Sequence, residues 1–202
     1  MKSLTYYLQE KLIIKKNKST NYKYFPETKE ELKAIIKKRI KEEGNEVDLN
    51  DIDVSKITDI SYLFEYTNFN GNISAWDVSK VTDMQYMFCK CSKFNQDISS
   101  WDVSNVTDIN YMFDKCKSFN QDISQWDVSN VTDMYGVFSG CKLFNQDISP
   151  WDVSNTVNMN FMFFDCESFC QDISSWDVSN VKHSLHIFKN CSLKDKCKPN
   201  FK

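Results

Sequence analysis

The chain has 202 residues, of which 41% are hydrophobic and 14% aromatic, with only four glycines and three prolines. This composition is typical of a globular protein and excludes collagen-like and linker-rich chains. The formal net charge of −3 is unevenly spread, because residues 1–50 carry 12 basic and 8 acidic side chains whereas residues 51–192 carry 9 and 19. The acidic body argues against nucleic-acid binding, since phosphates are neutralised by Lys and Arg.

Targeting signals are not visible in the sequence. No stretch approaches the ~18 apolar residues of a membrane-spanning helix, so we expect no transmembrane segment. Near the N-terminus the longest apolar run is Leu12-Ile13-Ile14, and Lys15 and Lys16 follow it in place of a small-residue cleavage site. No Cys lies near that end to carry a lipid. As written, the chain is expected to be cytoplasmic or otherwise intracellular, with the cell surface or a virion as further possibilities.

Residues 1–46 belong to no repeat and are predicted to form two amphipathic helices. Ser3 is placed to cap the first helix, which has apolar residues on one face. This helix is expected either to dock onto a partner or to form part of the cap of the repeats. Thr28 and Glu31 form a capping box before the second, and Gly44 is a stop signal after it. The second helix is expected to cover the open end of the repeats. Its apolar residues fall at helical spacing: Leu32, Ile35, Ile36 and Ile40.

Residues 47–192 are predicted to be about six copies of one 25-residue unit, followed by a basic tail at 193–202. The unit reads W-D-V-S-N-V-T-D-M-x-x-M-F-x-x-C-x-x-F-N-Q-D-I-S-x and is most regular from Trp101 to Gln125. A less regular copy begins at Ile52, and half a unit precedes it. The Trp residues that open the copies are spaced 25 apart: Trp76, Trp101, Trp126, Trp151 and Trp176.

Apolar positions within a unit recur every two, three or four residues, which favours a coil with frequent corners over a regular helix or long strand. Stacked copies would turn each position into a ladder, such as a Phe ladder and a Trp ladder. We predict a strand at 119–124, a turn at 127–133 and a short helical stretch at 134–138. The predicted fold class is therefore α/β, a solenoid with short parallel strands preceded by a helical segment.

The string MF-x-x-C-x-x-FNQDIS-x-WDVSNVTDM resembles the repeat of the BspA-like leucine-rich-repeat surface proteins, a unit also abundant in mycoplasma surface lipoproteins. The resemblance covers roughly residues 47–192 and recurs in every copy. For this chain it implies a right-handed leucine-rich-repeat solenoid with a parallel sheet. It also implies a role in adhesion or protein recognition.

The sequence offers little for catalysis or metal binding. Its eight cysteines include one 25-residue column, where a free Cys is typical of a small buried hydrophobe. His183 and His186 lie near Cys191 and Cys197, but their spacing is outside the usual zinc patterns, and we expect no metal. There is no G-x-S-x-G, H-E-x-x-H or phosphate loop, and Ser and Asp recur identically in each copy. We expect neither enzymatic activity nor a cofactor.

Candidate binding residues lie on the predicted strand. If Phe119 and Ile123 point inward, the residues between them point outward, and stacking aligns them in rows. The Asp that follows each Trp is expected instead to cap backbone N–H groups of a turn. The predicted binding residues are Asn95, Asp97, Asn120, Asp122, Asn145, Asp147 and Asp172.

A row of like charges on neighbouring strands is destabilising, which favours a bound partner that is basic or rich in hydrogen-bond donors. The alternative is that solvent screens the row and the charges prevent association between sheets. We therefore expect a non-enzymatic protein-recognition scaffold that binds a protein through the sheet face. The alternatives are a cell-surface adhesin, and a structural or virion-associated protein docked by its N-terminal helix. The oligomeric state stays open.

Overall fold

A computed structural model describes residues 22–201 of the chain. The prediction of an α/β solenoid with parallel strands is wrong, because the described residues contain one α-helix, one 3-10 helix and only isolated single-residue bridges. The α-helix, α1, spans Lys29–Glu43, and the 3-10 helix spans Asp195–Cys197. The helix predicted near Ser3 lies outside the described residues.

The repeats stack as irregular coils that backbone hydrogen bonds join to one another. In each coil, four N–H groups at every second residue donate to carbonyls of the following coil. Tyr111 donates to Tyr135 at 2.7 Å and Phe113 to Val137 at 3.0 Å, and the same four-bond pattern recurs at all five junctions. Every one of these N–H groups is therefore directed towards the C-terminal end of the stack.

Left-handed backbone at alternate donors explains why no strand forms. Two of the four donors in each coil have φ between 53° and 69°, whereas a strand needs φ near −120° at every residue. A strand also presents both donors and acceptors to each neighbour, but here the donors face one coil and the acceptors the other. The left-handed residues are Tyr62, Tyr66, Tyr86, Lys90, Tyr111, Lys115, Gly136, Gly140, Phe161, Asp165, His186 and Asn190.

The bridges lie where the sequence had predicted turns. One residue per coil, seven after each Trp, forms a parallel bridge with its counterpart, while 119–124 contains none. The segment 134–138 is not helical, because its Met134 and Phe138 N–H groups donate to Asn158 and Met162 of the next coil at 2.9 and 3.0 Å. The bridge residues of the stack are Asp59, Asp83, Asp108, Asp133, Asn158 and His183.

Aromatic ladders fill the interior, as the 25-residue period had predicted. The rings of Trp101 and Trp126 lie 6.5 Å apart and nearly parallel, and those of Phe113 and Phe138 lie 5.9 Å apart. Each Trp Nε1 donates to a carbonyl of the preceding coil, for example Trp126 to Ile98 at 3.1 Å. The polar atom of each indole is thus satisfied inside an apolar core.

Helix α1 packs on the first coil, with boundaries that its capping residues had predicted. Thr28 Oγ1 accepts the Glu31 N–H at 3.2 Å, and the Gly44 N–H donates to Ile40 at 2.9 Å with φ of 92°. The side chains of Leu32 and Ile36 are buried in the same core as the repeats.

Candidate functional site

The seven predicted binding residues fall into two groups with different contacts. Asn95, Asn120 and Asn145 are half-buried, and each Oδ1 accepts the backbone N–H of the residue 25 positions later. The Asn120 N–H to Asn95 Oδ1 distance is 2.9 Å. These asparagines hold adjacent coils together, a role that the sequence interpretation missed. The signal for it was the recurrence of Asn beside an inward-facing Phe, since Asn ladders stabilise stacked backbones.

The four predicted aspartates are exposed and form a first acidic row: Asp97, Asp122, Asp147 and Asp172. Each Oδ1 accepts the N–H of a Ser two residues later at 2.9–3.0 Å, so each lies in an Asx turn and not on a strand. Hydrogen bonds from Ser124 hold the pKa of Asp122 below its ordinary value. The turns consequently fix the four carboxylates in position.

A second acidic row lies five residues further along each coil, after the Trp. Its carboxylates are also exposed and cap turns, as the sequence had predicted: Ser104 donates to Asp102 through its N–H at 3.1 Å and its Oγ at 2.6 Å. Like charges within the rows interact, because Asp97 raises the pKa of Asp122 against the stronger lowering by Ser124. The second row comprises Asp77, Asp102, Asp127, Asp152 and Asp177.

A third set of acidic residues is half-buried at the bridges. Burial raises the pKa of Asp108, and the neighbouring Asp133 and Asp83 raise it further. In the coil that follows Asp133, the equivalent residue is Asn158, whose side-chain amide donates to both Asp133 oxygens at 3.3 Å. Among residues 22–201, no group of three or more His, Cys, Asp and Glu side chains is placed to hold a metal.

The cysteine column faces the core. The thiols of Cys116, Cys141 and Cys166 are buried and donate to carbonyls of the preceding coil at 2.9–3.0 Å. Burial raises the pKa of all three thiols. The prediction that the column consists of small buried residues is confirmed for Cys91, Cys116, Cys141 and Cys166, whereas Cys191 in the last coil is half-buried.

The third Trp-led repeat, which begins at Trp126, interrupts the outer aromatic column. Gly136 stands where neighbouring coils have Tyr111 and Phe161, and the ring of Tyr135 fills the gap at 4.7 and 5.5 Å from them. A shallow cleft of about 260 Å³ remains beside Gly140 and the buried carboxyl of Asp114. Burial raises the pKa of Asp114.

Stacked 25-residue coils with exposed acidic rows define a repeat protein with a regular charged surface. The family model described as "Mycoplasma protein of unknown function, DUF285" matches residues 31–141 and 121–198. The chain belongs to this family, which is the BspA-like repeat family in general, so the resemblance is confirmed at that level. No curated protein and no solved structure matches the chain. Within the described part of the chain, no helix is long and apolar enough to cross a membrane.

Proposed function

We propose that the protein is a non-enzymatic recognition scaffold that binds a basic protein partner through the two acidic rows. Family membership is compatible with a recognition or surface role and names no partner. The observation that supports the proposal is the regular exposure of Asp side chains that their own turns hold in place.

The rows favour a cationic partner for an electrostatic reason. Carboxylates that repeat from coil to coil repel one another, as the effect of Asp97 on the pKa of Asp122 indicates. Lys or Arg side chains between them would replace repulsion by attraction. Because the Asx turns fix the carboxylates beforehand, binding costs little side-chain entropy on this side.

The proposed contact surface contains fewer of the predicted residues than the sequence interpretation included. Asn95, Asn120 and Asn145 use their Oδ1 atoms to bind the next coil. We therefore assign contact with the partner to the aspartates, and we assign to the asparagines the spacing of the coils that carry them.

The experiment compares two double variants with the same loss of charge. Asp122→Asn with Asp147→Asn removes two charges from the first acidic row, and Asp83→Asn with Asp108→Asn removes two from the half-buried bridges. The probe is a fluorescein-labelled decalysine peptide, and fluorescence anisotropy measures its Kd. We expect the first variant to weaken binding severalfold, about 3- to 10-fold, because two exposed pairs are lost.

The control variant should bind nearly as the unchanged protein does, and added salt should weaken binding in every case. Equal weakening by both variants would mean that only net charge matters, and it would remove the first acidic row from consideration. Thermal unfolding of both variants checks that each remains folded.

A cell-surface adhesin is the second candidate, and membership of the BspA-like repeat family favours it. Fractionation of cells that express the native protein separates the two. Recovery in the soluble pool supports a scaffold inside the cell, whereas recovery with membranes supports the adhesin.

A further inference from the structure

The coil that begins at Trp126 carries a small cleft on its outer face, which we call the notch. Three positions that hold large or charged side chains in both flanking coils hold Gly136, Ser139 and Gly140 here. The preceding and the following coil supply the walls of the notch, which has a volume of about 260 Å³. Pockets for drug-sized ligands measure about 300–1,000 Å³, so the notch is of a size for one side chain. The wall residues are Tyr111, Asp114, Lys115, Phe161, Phe164 and Asp165.

Aromatic rings give the notch its apolar part. The ring of Tyr135 lies between those of Tyr111 and Phe161, with centroids 4.7 and 5.5 Å away and tilts of 42° and 38°. The ring of Phe164 meets that of Phe161 edge-on, with centroids 5.7 Å apart. The faces of such rings carry partial negative charge and attract cations. The notch therefore offers a cation both apolar contact and electrostatic attraction.

Two contacts on the same face show which cation these rings accept. The Lys189 ammonium lies 5.7 Å from the centre of the Phe164 ring, and the Lys90 ammonium lies 4.2 Å from that of Tyr66. In both pairs the lysine occupies the position of the ring in the following coil. Within residues 22–201, the other three rings of the notch have no such cation over them. A lysine side chain is thus the cation that this face already pairs with its rings.

A buried carboxyl at the notch lacks a cationic partner. Asp114 is 6% exposed and accepts a hydrogen bond from the Cys89 thiol at 3.7 Å. Burial raises the pKa of Asp114 more than hydrogen bonding from Ser139 lowers it. Lys115 is exposed, and Asp114 forms no ion pair within the described part of the chain. An ammonium in the notch would supply the missing pairing, and Asp165 adds a second carboxyl on the opposite wall.

We propose that the notch binds the side chain of a single lysine from a partner protein. The aliphatic stem of that lysine packs against the rings of Tyr135 and Phe161, and its ammonium lies at the carboxyl of Asp114. That the lysine comes from a protein rests on the proposed recognition function, whereas the notch itself does not depend on the acidic rows.

The notch would give a partner a fixed position along the stack. The acidic rows recur from coil to coil, so a partner bound to them alone could sit at several equivalent places. Gly136 and Gly140 occur in this coil alone, because the other two glycines of the chain, Gly44 and Gly71, lie before the first Trp-led repeat. One lysine seated in the notch would therefore set the register of the complex.

NMR titration of the full-length protein tests the proposal. The probe is Nα-acetyl-lysine N-methylamide, and its control is the norleucine analogue, which has a similar aliphatic stem without the ammonium. We expect the lysine probe to shift the amide signals of Tyr135, Gly136 and Gly140 saturably, with a Kd of about 1–10 mM. The norleucine probe should bind at least about tenfold more weakly, because it lacks the charge.

A substitution that fills the notch should prevent binding. Gly140→Lys introduces the residue that the two preceding coils carry at this position, Lys90 and Lys115. Both lysines have the left-handed φ of Gly140, 60° and 59° against 69°. A Cβ at Gly140 would come closest to Cγ of the flexible Lys115 side chain, at 3.1 Å. The variant should therefore fold, as thermal unfolding can check, and raise the Kd of the lysine probe at least about tenfold.

Removal of the buried carboxyl tests the electrostatic part with the shape unchanged. Asp114→Asn should raise the Kd of the lysine probe about 3- to 10-fold. Asp97→Asn removes the same charge from the first acidic row and should leave the Kd nearly unchanged.

Four results would overturn the proposal. Equal binding of the norleucine probe would exclude a role for the ammonium, and equal weakening by Asp114→Asn and Asp97→Asn would reduce the effect to net charge. An arginine analogue that binds at least about tenfold more tightly would make a guanidinium the occupant. Shifts confined to the amides around Asp122 and Asp147 would place the lysine on the first acidic row, which would exclude the notch and leave the proposed function intact.

Discussion

The two ends of the described stack differ in what covers them. At the N-terminal end, α1 buries Leu32 and Ile36 against the first coil, and its Lys29 ammonium bonds both Asp59 oxygens, at 2.9 and 3.0 Å, and Ser61. At the C-terminal end, most of residues 182–190 are exposed, and the N–H groups of Ser184, His186, Phe188 and Asn190 have no acceptor within the described residues. Within residues 22–201, one end is covered by a helix, whereas the other leaves these backbone groups without a partner.

The difference follows from the direction of the coil-to-coil hydrogen bonds. In the four-bond pattern the donors face the C-terminal end, so the carbonyls of the first coil that are equivalent to its acceptors belong to the opposite end: Asp59, Ser61, Leu63 and Glu65. A basic helix complements that acceptor-rich end, whereas the basic tail does not complement an end rich in N–H groups. A repeat in which donors and acceptors segregate therefore has two chemically distinct ends.

The same substitution at both ends should give the largest contrast. Leu32→Ala truncates a side chain on the buried face of α1 that is 0% exposed, and it should lower the free energy of unfolding by about 2–5 kcal/mol. Leu185→Ala removes one that is 55% exposed on the last coil, and the change should stay within about 0.5 kcal/mol. Urea unfolding followed by Trp fluorescence measures both. A large loss for Leu185→Ala would mean that this end is covered in solution.

Inside the stack, the asparagine bonds should matter less than the core but more than the surface. Asn120→Ala leaves the half-buried Asn145 N–H without its acceptor and should cost about 1–3 kcal/mol. Asn105→Ala removes an exposed bond to Ser79 of 2.8 Å and should cost about 0.5 kcal/mol or less. Equal effects would mean that water replaces the Asn120 oxygen easily.

The sequence predicted the features that depend on side-chain burial and local capping. A Phe or Trp that recurs every 25 residues is visible as a core ladder, and Thr28 and Gly44 act within one turn of α1. The left-handed backbone of Tyr111 and Lys115 is not visible, because neither residue type signals positive φ. That backbone removes the strands, and it also directs the four donors of this segment to one end.

The candidate site was predictable only in part, for a related reason. An exposed Asp two residues before a Ser is equally compatible with a strand and with an Asx turn. The surface position predicted for Asp122 is therefore correct, but the strand conformation predicted for it is wrong. Asn120 was placed at the surface because its bond to the next coil depends on how the coils stack.

Acid should loosen the N-terminal end first. Burial raises the pKa of Asp51, but hydrogen bonds from Arg39 and Lys23 outweigh burial and leave it below its ordinary value. A lowered folded-state pKa stabilises the protein above the unfolded-state pKa, and this stabilisation is lost as pH falls through the folded-state pKa. Hydrogen exchange should therefore show that the protection of α1 amides, relative to the amides of Phe161 and Phe163, is lower at pH 3 than at pH 6. Equal loss of protection throughout would exclude Asp51 as the cause.

The smallest expected effect concerns the half-buried bridges between the two ends. Burial, together with Asp133 and Asp83, raises the folded-state pKa of Asp108. A raised pKa gives a contribution that is fully present below the unfolded-state pKa and is lost as pH rises through the folded-state pKa, so the charged form is unfavourable at pH 7. Asp108→Asn should therefore raise the Tm at pH 7, by an amount corresponding to less than about 1 kcal/mol, and should have no such effect in acid. Asn158 already occupies the equivalent position, so the amide fits the bridge.

Asp122→Asn, at an exposed carboxylate whose pKa is lowered, is the control and should not raise the Tm. Differential scanning calorimetry at pH 3 and pH 7 measures both variants, and a lower Tm for Asp108→Asn at pH 7 would show that this carboxylate stabilises the stack.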